Sequence, residues 1–201
     1  MAKISDIAAG SATPTYNGVG VVNLETLIAQ LRAYAARPLD ANEAAMATEY
    51  VPFVTAHTDC LLRTCVPGHL TASAWIVDRS RRWVLLTHHH KLDRWLQLGG
   101  HVDGNPDLLT AALREGHEES GLTRLAPVSR EIFDVDRHRI PARKTEPVHW
   151  HYDVRFLFEA DRNEPLKISS ESKDLAWVEL EHVAALNTSE SLARMVRKTK
   201  C

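Results

Sequence analysis

The sequence has little of several features that mark whole classes of protein. It has three cysteines in 201 residues, at positions 60, 65 and 201, without the spacing of a metal site. They indicate reduced thiols rather than a disulfide framework. No apolar run approaches the length needed to cross a membrane, and the first residues lack the apolar segment of a signal peptide. We therefore expect a cytoplasmic protein without a membrane partner.

An excess of charge of one sign is also missing. The 24 basic and 26 acidic residues leave a formal net charge of −2, so no basic field would attract a nucleic-acid polymer. Internal repeats and low-complexity segments are absent as well. The three consecutive histidines at 88–90 favour a polar loop over a zinc site, because consecutive side chains diverge.

Helical periodicity dominates the first third of the chain. Apolar residues recur at helical spacing from Leu24 onward, and shorter helices are predicted over residues 42–50 and 52–63. We therefore predict a helical N-terminal extension over residues 1–65 and a second region over 66–201.

Strand signals begin near Thr71. The runs TASAWIVD and RWVLLT, separated by three polar residues, predict a hairpin. Later strands are predicted around residues 128–137, 148–158 and 175–178, the second of which alternates polar and apolar side chains. A helix over PDLLTAALREGHEES is predicted between the hairpin and these later strands. The predicted fold class is α/β, with a mixed sheet covered by helices.

This central helix carries three glutamates within five positions, Glu115, Glu118 and Glu119. At roughly 100° per residue, all three fall within an arc of about 100° beside the apolar stripe. A solvated acidic face is the commoner explanation of such a group, but no lysine follows at i+4 to offset the repulsion. Clustered carboxylates are the hard oxygen ligands that suit Mg²⁺ or Mn²⁺.

Residues 100–122 resemble the Nudix box, the signature of the Nudix hydrolase superfamily. The matching positions are Gly100, Arg114, Glu115, Glu118, Glu119, Gly121 and Leu122. Pro106 replaces the first glutamate of the box, and Gly116 replaces its usual aliphatic residue. The resemblance implies a Nudix-type α/β/α sandwich from about residue 66 onward, with the N-terminal helices outside it.

The resemblance also implies a Mg²⁺-dependent hydrolase that cleaves a diphosphate linkage in a nucleotide or nucleoside diphosphate derivative. Glu115, Glu118, Glu119 and the Gly100 carbonyl would hold Mg²⁺, with Mn²⁺ as a substitute, and Arg114 would orient a glutamate. Glu171 is the leading candidate for the general base, with Glu118 as the alternative. Candidates for contacts with the small-molecule substrate are His101, Trp95, His149, His151 and Arg155.

Two other functions stay open on the same scaffold. One is a nucleotide-binding or regulatory domain without turnover. The other is an isoprenoid-diphosphate isomerase, which would need a cysteine in the cleft. A homodimer is compatible with each of them.

Overall fold

The computed structural model describes residues 24–37, 40–143 and 146–200. Within them the chain forms five α-helices and eight β-strands. In chain order these are α1 (Glu25–Ala35), α2 (Ala41–Ala56), β1 (Gly68–Asp78), β2 (Trp83–His89), β3 (Arg94–Leu96), β4 (Leu98–His101), α3 (Leu108–Ser120), β5 (Leu125–Pro127), β6 (Asp134–Ile140), β7 (His149–Ala160), β8 (Ser172–Glu179), α4 (Val183–Leu186) and α5 (Glu190–Thr199).

The sheet is built around one long parallel pair. Strands β1 and β7 run side by side from Gly68 opposite Trp150 to Asp78 opposite Ala160. Strand β1 also pairs antiparallel with β2 near its end and with β4 nearer its start. Strand β7 pairs antiparallel with β5 and β6, and β2 pairs antiparallel with β3 and β8. Because both central strands change partner along their length, the mixed sheet curls.

The two faces of the sheet have separate apolar clusters. On one face, Leu70, Ala72 and Ala74 of β1 belong to a cluster with residues of α1, α2 and α3. On the other face, Trp75 packs with Met195 of α5. The predicted α/β class and mixed sheet between helices are confirmed. No helix in the described ranges is long and apolar enough to cross a membrane.

Helix α2 differs from the prediction of two short helices. It continues through Pro52 to Ala56, and residues 57–65 form turns. Tyr50 and Phe53, on either side of the proline, are both buried against the sheet. Tertiary packing therefore outweighs the helix-breaking tendency of proline here.

Other boundaries shift by a few residues. Pro106 precedes the N-cap Asp107 instead of lying in the first turn of α3. The strand predicted over residues 128–137 is replaced by the short β5 and by β6, which are separated by a bend.

A buried ionic network joins α2, α5 and the sheet. The Asp134 side chain is fully buried and accepts hydrogen bonds from Arg194, Arg155 and Lys198. Lys198 also pairs with Glu43 of α2. Helix α2 is therefore attached to the sheet by charge as well as by apolar contact.

Candidate functional site

Helix α3 has clear local signals at both ends. Asp107 caps its start by accepting a hydrogen bond from the Thr110 amide, and Gly121 ends it with a left-handed φ of 71°. In the middle, a side chain on Gly116 would place its first carbon 2.9 Å from Leu125 Cδ1 and 3.4 Å from Ala74 Cβ. Glycine at this position allows α3 to lie close against β1.

The three glutamates differ in burial in the order that helical geometry predicts. Glu119, nearest the apolar stripe, is 7% exposed. The Glu115 side chain is 13% exposed, and that of Glu118, farthest from the stripe, is 59% exposed. The arc of carboxylates therefore runs from the protein interior into solvent.

Glu119 is held at the inner end of this arc. Its carboxylate accepts a hydrogen bond of 2.9 Å from the Gly99 amide on β4. Burial raises the pKa of Glu119 to about 7, and the charges of Glu115 and Glu171 act in the same direction, against the Gly99 bond. A nearby cation would favour the charged carboxylate.

Arg114 connects the glutamates to β4. Its guanidinium lies 2.8 Å from a Glu115 oxygen and 3.0 Å from a Glu118 oxygen, and it donates a 2.8 Å hydrogen bond to the His101 carbonyl. Burial raises the pKa of Glu115, and the charge of Arg114 opposes that shift. Arg114 thus fixes two of the three carboxylates.

The two glycines of β4 leave room for this arrangement. A Cβ on Gly100 would lie 2.6 Å from Glu115 Oε2, and one on Gly99 would lie 2.7 Å from the Ala72 carbonyl oxygen. With glycine at both positions, the backbone of β4 can lie this close to β1 and to the Glu115 carboxylate.

Glu171 lies in the turn directly before β8, and its side chain is exposed. Its carbonyl accepts a hydrogen bond from the His90 amide. The charge of Glu171 contributes to the raised pKa of Glu119, so the two carboxylates are within electrostatic range of each other.

Groups of three ligand atoms within 4.8 Å of one another occur at three places in the described residues, and none includes a glutamate of α3. The carboxylates of Glu115 and Glu118 instead form ion pairs with Arg114. Histidines 88–90 do not form such a group either, since His88 stacks on Trp95 and His89 accepts backbone amides. One of the three places consists of His69, His149 and His151.

These histidines lie on the sheet face opposite α3, together with His101 and His138. Burial lowers the pKa of His69 and His101 to about 4 and that of His151 to about 2, so these rings are neutral at pH 7. Of this group, His101, His149 and His151 are predicted from the sequence as site residues, and His69 is not. The alternation of polar residues at 69, 71 and 73 was the available signal.

Two of the candidate substrate residues are engaged elsewhere. Arg155 is 2% exposed, and its guanidinium pairs with Asp153 and Asp134 inside the protein. This pairing argues against a contact with substrate. Trp95 is half-buried against the apolar cluster of α5 and stacks on His88, which accounts for its position without a ligand.

Comparison with known proteins adds a family match. The family model of the NUDIX domain matches residues 67–199, more than half of the chain. A curated relative from Lactococcus lactis subsp. cremoris (strain MG1363), described as a probable DHNTP pyrophosphohydrolase, is 33% identical over 97 residues. That match covers 47% of this chain and 56% of the relative, so the chain spans little more than half the length of the curated relative it matches.

Solved structures show the same fold. A C. elegans Ap4A hydrolase in a binary complex superposes with a TM-score of 0.53 at 20% identity, over 65% of this chain and 94% of the other. The E. coli dihydroneopterin triphosphate pyrophosphohydrolase gives a TM-score of 0.53 at 18% identity, over 64% and 92% of the two chains. At these identities the likeness concerns the fold alone.

Proposed function

We propose, from the premise that the chain belongs to the NUDIX family, that it is a Mg²⁺-dependent pyrophosphohydrolase. Its substrate would be a nucleotide or nucleoside diphosphate derivative, and water would attack one phosphorus of the diphosphate. The observation that carries this proposal is the glutamate arc of α3, whose buried member Glu119 is bonded to the Gly99 amide.

The residues present fit a hard divalent cation. Three carboxylates and the backbone of Gly100 form an oxygen-donor set of the kind that Mg²⁺ prefers. The close approach of Gly100 to Glu115, where a methyl group would displace the carboxylate, brings a carbonyl-bearing strand to the carboxylates. We propose that Glu115, Glu118, Glu119 and the Gly100 carbonyl hold Mg²⁺, or Mn²⁺ in its place.

A bound Mg²⁺ would neutralise charge on the diphosphate and make the attacking water more acidic. Arg114 would keep Glu115 and Glu118 oriented through its two ion pairs. Glu171 is the proposed acceptor of the proton that the water loses, because its carboxylate is exposed and electrostatically coupled to Glu119. Glu118 is the alternative acceptor, since its side chain also reaches solvent.

On the substrate side we propose His101. It is half-buried and directly follows Gly100 on β4. Arg155 is fully paired, and His149 and His151 face each other with their Nε2 atoms 3.3 Å apart, so we do not place these three residues in contact with the substrate. The name of the curated relative, a probable DHNTP pyrophosphohydrolase, supports a substrate with a phosphate chain and makes dihydroneopterin triphosphate one member of the panel to be tested.

The isomerase alternative loses support. Cys60 and Cys65 are both buried, and burial raises the pKa of these thiols to about 11 and about 12. Buried thiols of this kind are poor nucleophiles or acids at neutral pH. Cys201 lies outside the described residues.

The test is a screen of nucleoside triphosphates, dihydroneopterin triphosphate, dinucleoside polyphosphates and ADP-ribose with Mg²⁺ and with Mn²⁺, scored by product identity. We expect turnover of at least one of these compounds, and we expect Glu119→Gln to abolish it while the protein stays folded. Glu131→Gln is the matched control, because that side chain is 74% exposed and pairs only with Arg37 in the described structure. Tight binding without turnover by the wild-type protein would instead support a regulatory domain.

A further inference from the structure

Strand pairing brings five histidines together on one face of the sheet. His69 of β1 lies opposite His151 of β7, which also lies opposite His138 of β6. His101 of β4 and His149 of β7 complete the group. The ring centre of His69 is 5.0 Å from that of His101, 5.0 Å from that of His149 and 4.7 Å from that of His151.

Three of these rings place nitrogen atoms close together. One ring nitrogen each of His69, His149 and His151 lies within 4.8 Å of the others, and the Nε2 atoms of His149 and His151 are 3.3 Å apart. Two nitrogens each about 2.0–2.1 Å from a tetrahedral zinc ion lie roughly 3.3–3.4 Å apart. The observed separation is therefore the one that two ligands of a single ion would have.

His69 lacks the partners that a buried imidazole normally has. The residue is 3% exposed, and neither ring nitrogen makes a hydrogen bond. The backbone of Cys65 lies near the ring, but the contact does not meet hydrogen-bond geometry. An unsatisfied buried polar group costs about 1–3 kcal/mol, so a ligand that engages this ring would remove a real penalty.

His149 is oriented as a metal ligand usually is. Its Nδ1 lies 2.9 Å from the Pro147 carbonyl oxygen, which can only accept, so Nδ1 carries the proton and Nε2 has a free lone pair. Ligating histidines commonly donate their second N–H to a carbonyl in this way. A simple hydrogen bond from His151 to His149 would satisfy that pair, but it would leave His69 without a partner.

We propose that His69, His149 and His151 bind one first-row transition-metal ion, with Zn²⁺ as the best match, at a site separate from the glutamates of α3. Imidazole nitrogen suits Zn²⁺ and its neighbours in the series, whereas Mg²⁺ prefers oxygen. Three protein ligands leave one tetrahedral position open, as in catalytic zinc sites. His101 is a further donor beside that position, since its ring also contacts His151.

Strand β4 connects this site to the glutamates. Gly100 lies against Glu115, and the next residue, His101, has its ring against His69 and its carbonyl bonded to Arg114. The histidine site nevertheless consists of different ligands with a different metal preference. The proposal therefore does not depend on the hydrolase reaction and can be tested by metal binding alone.

The experiment uses the full chain, stripped of metal with a chelator and then titrated with Zn²⁺ in the presence of excess Mg²⁺. Calorimetry and metal analysis after dialysis measure stoichiometry and affinity, and Co²⁺ as a substitute reports tetrahedral coordination through its visible absorption. We expect one Zn²⁺ per chain. Loss of a ligand in His149→Ala or His151→Ala should weaken binding at least 100-fold.

Controls separate this site from others. His90→Ala changes an exposed histidine and should bind Zn²⁺ as the wild type does. Glu119→Gln should also keep the site, because it alters only the glutamates. His151 is half-buried, so its alanine variant is the one expected to stay folded, which circular dichroism checks.

Three results would overturn the proposal. The first is the absence of stoichiometric Zn²⁺ binding when Mg²⁺ is in excess. The second is unchanged affinity in the folded His151→Ala variant. The third is loss of Zn²⁺ in Asp59→Asn or Glu119→Gln, which would place the ion at the group of His57, Asp59 and Cys65 or at the glutamates of α3.

Discussion

Replacing Gly116 by valine tests whether close packing explains the departure from the family signature. Valine restores a β-branched aliphatic residue, and its helix propensity exceeds that of glycine by a few tenths of a kcal/mol. Its Cβ alone would lie 2.9 Å from Leu125 Cδ1 and 3.4 Å from Ala74 Cβ, and its two methyl groups would extend further. Inserting carbon atoms into a packed interior costs about 1–3 kcal/mol, so packing outweighs propensity.

We therefore expect Gly116→Val to lower the free energy of unfolding by about 1–3 kcal/mol and Tm by roughly 2–12 °C for a chain of this size. Urea unfolding followed by circular dichroism measures the change. Gly116→Ala should cost much less, since the atom it meets first is the end of the flexible Leu125 side chain. Adding Leu125→Ala to Gly116→Val should recover part of the loss. A valine variant as stable as the wild type, or no recovery in the double variant, would refute the packing argument.

Three further predictions concern the site and the core. Gly100→Ala should reduce turnover by about 10–100-fold with little change in Tm, because its methyl group would displace the Glu115 carboxylate, 2.6 Å away; unchanged kinetics in the hydrolysis assay would count against this geometry. Tyr50→Phe should lower the free energy of unfolding in urea by about 1–2 kcal/mol, because its buried hydroxyl shares its one proton between two strand carbonyls, of Asp136 and Asp153; an unchanged urea midpoint would contradict this. Burial alone would raise the pKa of Asp134, but the Arg194 hydrogen bond and neighbouring cations lower it. The stability that the Asp134 carboxylate gives to the folded protein is therefore complete above about pH 4 and is lost as pH falls through the lowered pKa. Tm should therefore fall less steeply below pH 4 in Asp134→Asn than in the wild type. Plots of Tm against pH that have the same slope for both proteins would show that the Asp134 carboxylate does not cause the loss of stability.

The parts of the site that lie close in sequence were predictable. Periodicity alone placed Glu115, Glu118 and Glu119 beside the apolar stripe, and the angles around the helix give their order of burial. Gly121 marks the end of α3 because its left-handed backbone suits glycine. Both inferences depend on contacts within one helix, for which the sequence is enough.

Contacts between distant segments were not predictable in the same way. His69 meets His151 only because β1 pairs parallel with β7 across about eighty residues of chain, and no local pattern specifies that register. The alternation of polar and apolar residues in β7 is visible in the sequence. Its polar side is nevertheless buried, because Arg155 forms an ion pair with Asp134 on β6. Helix α2 likewise passes through Pro52 because the sheet holds the residues on either side of it.

Attack of water on phosphorus at the glutamates of α3 is the reaction proposed for this protein. Its most direct test is hydrolysis of an active compound from the screen in ¹⁸O-labelled water with Mg²⁺, with the products read by mass spectrometry. We expect one ¹⁸O atom in a phosphate group of one product from the wild-type protein, and no labelled product from Glu119→Gln. Label in a product group other than phosphate, or equal labelling by Glu119→Gln, would contradict it.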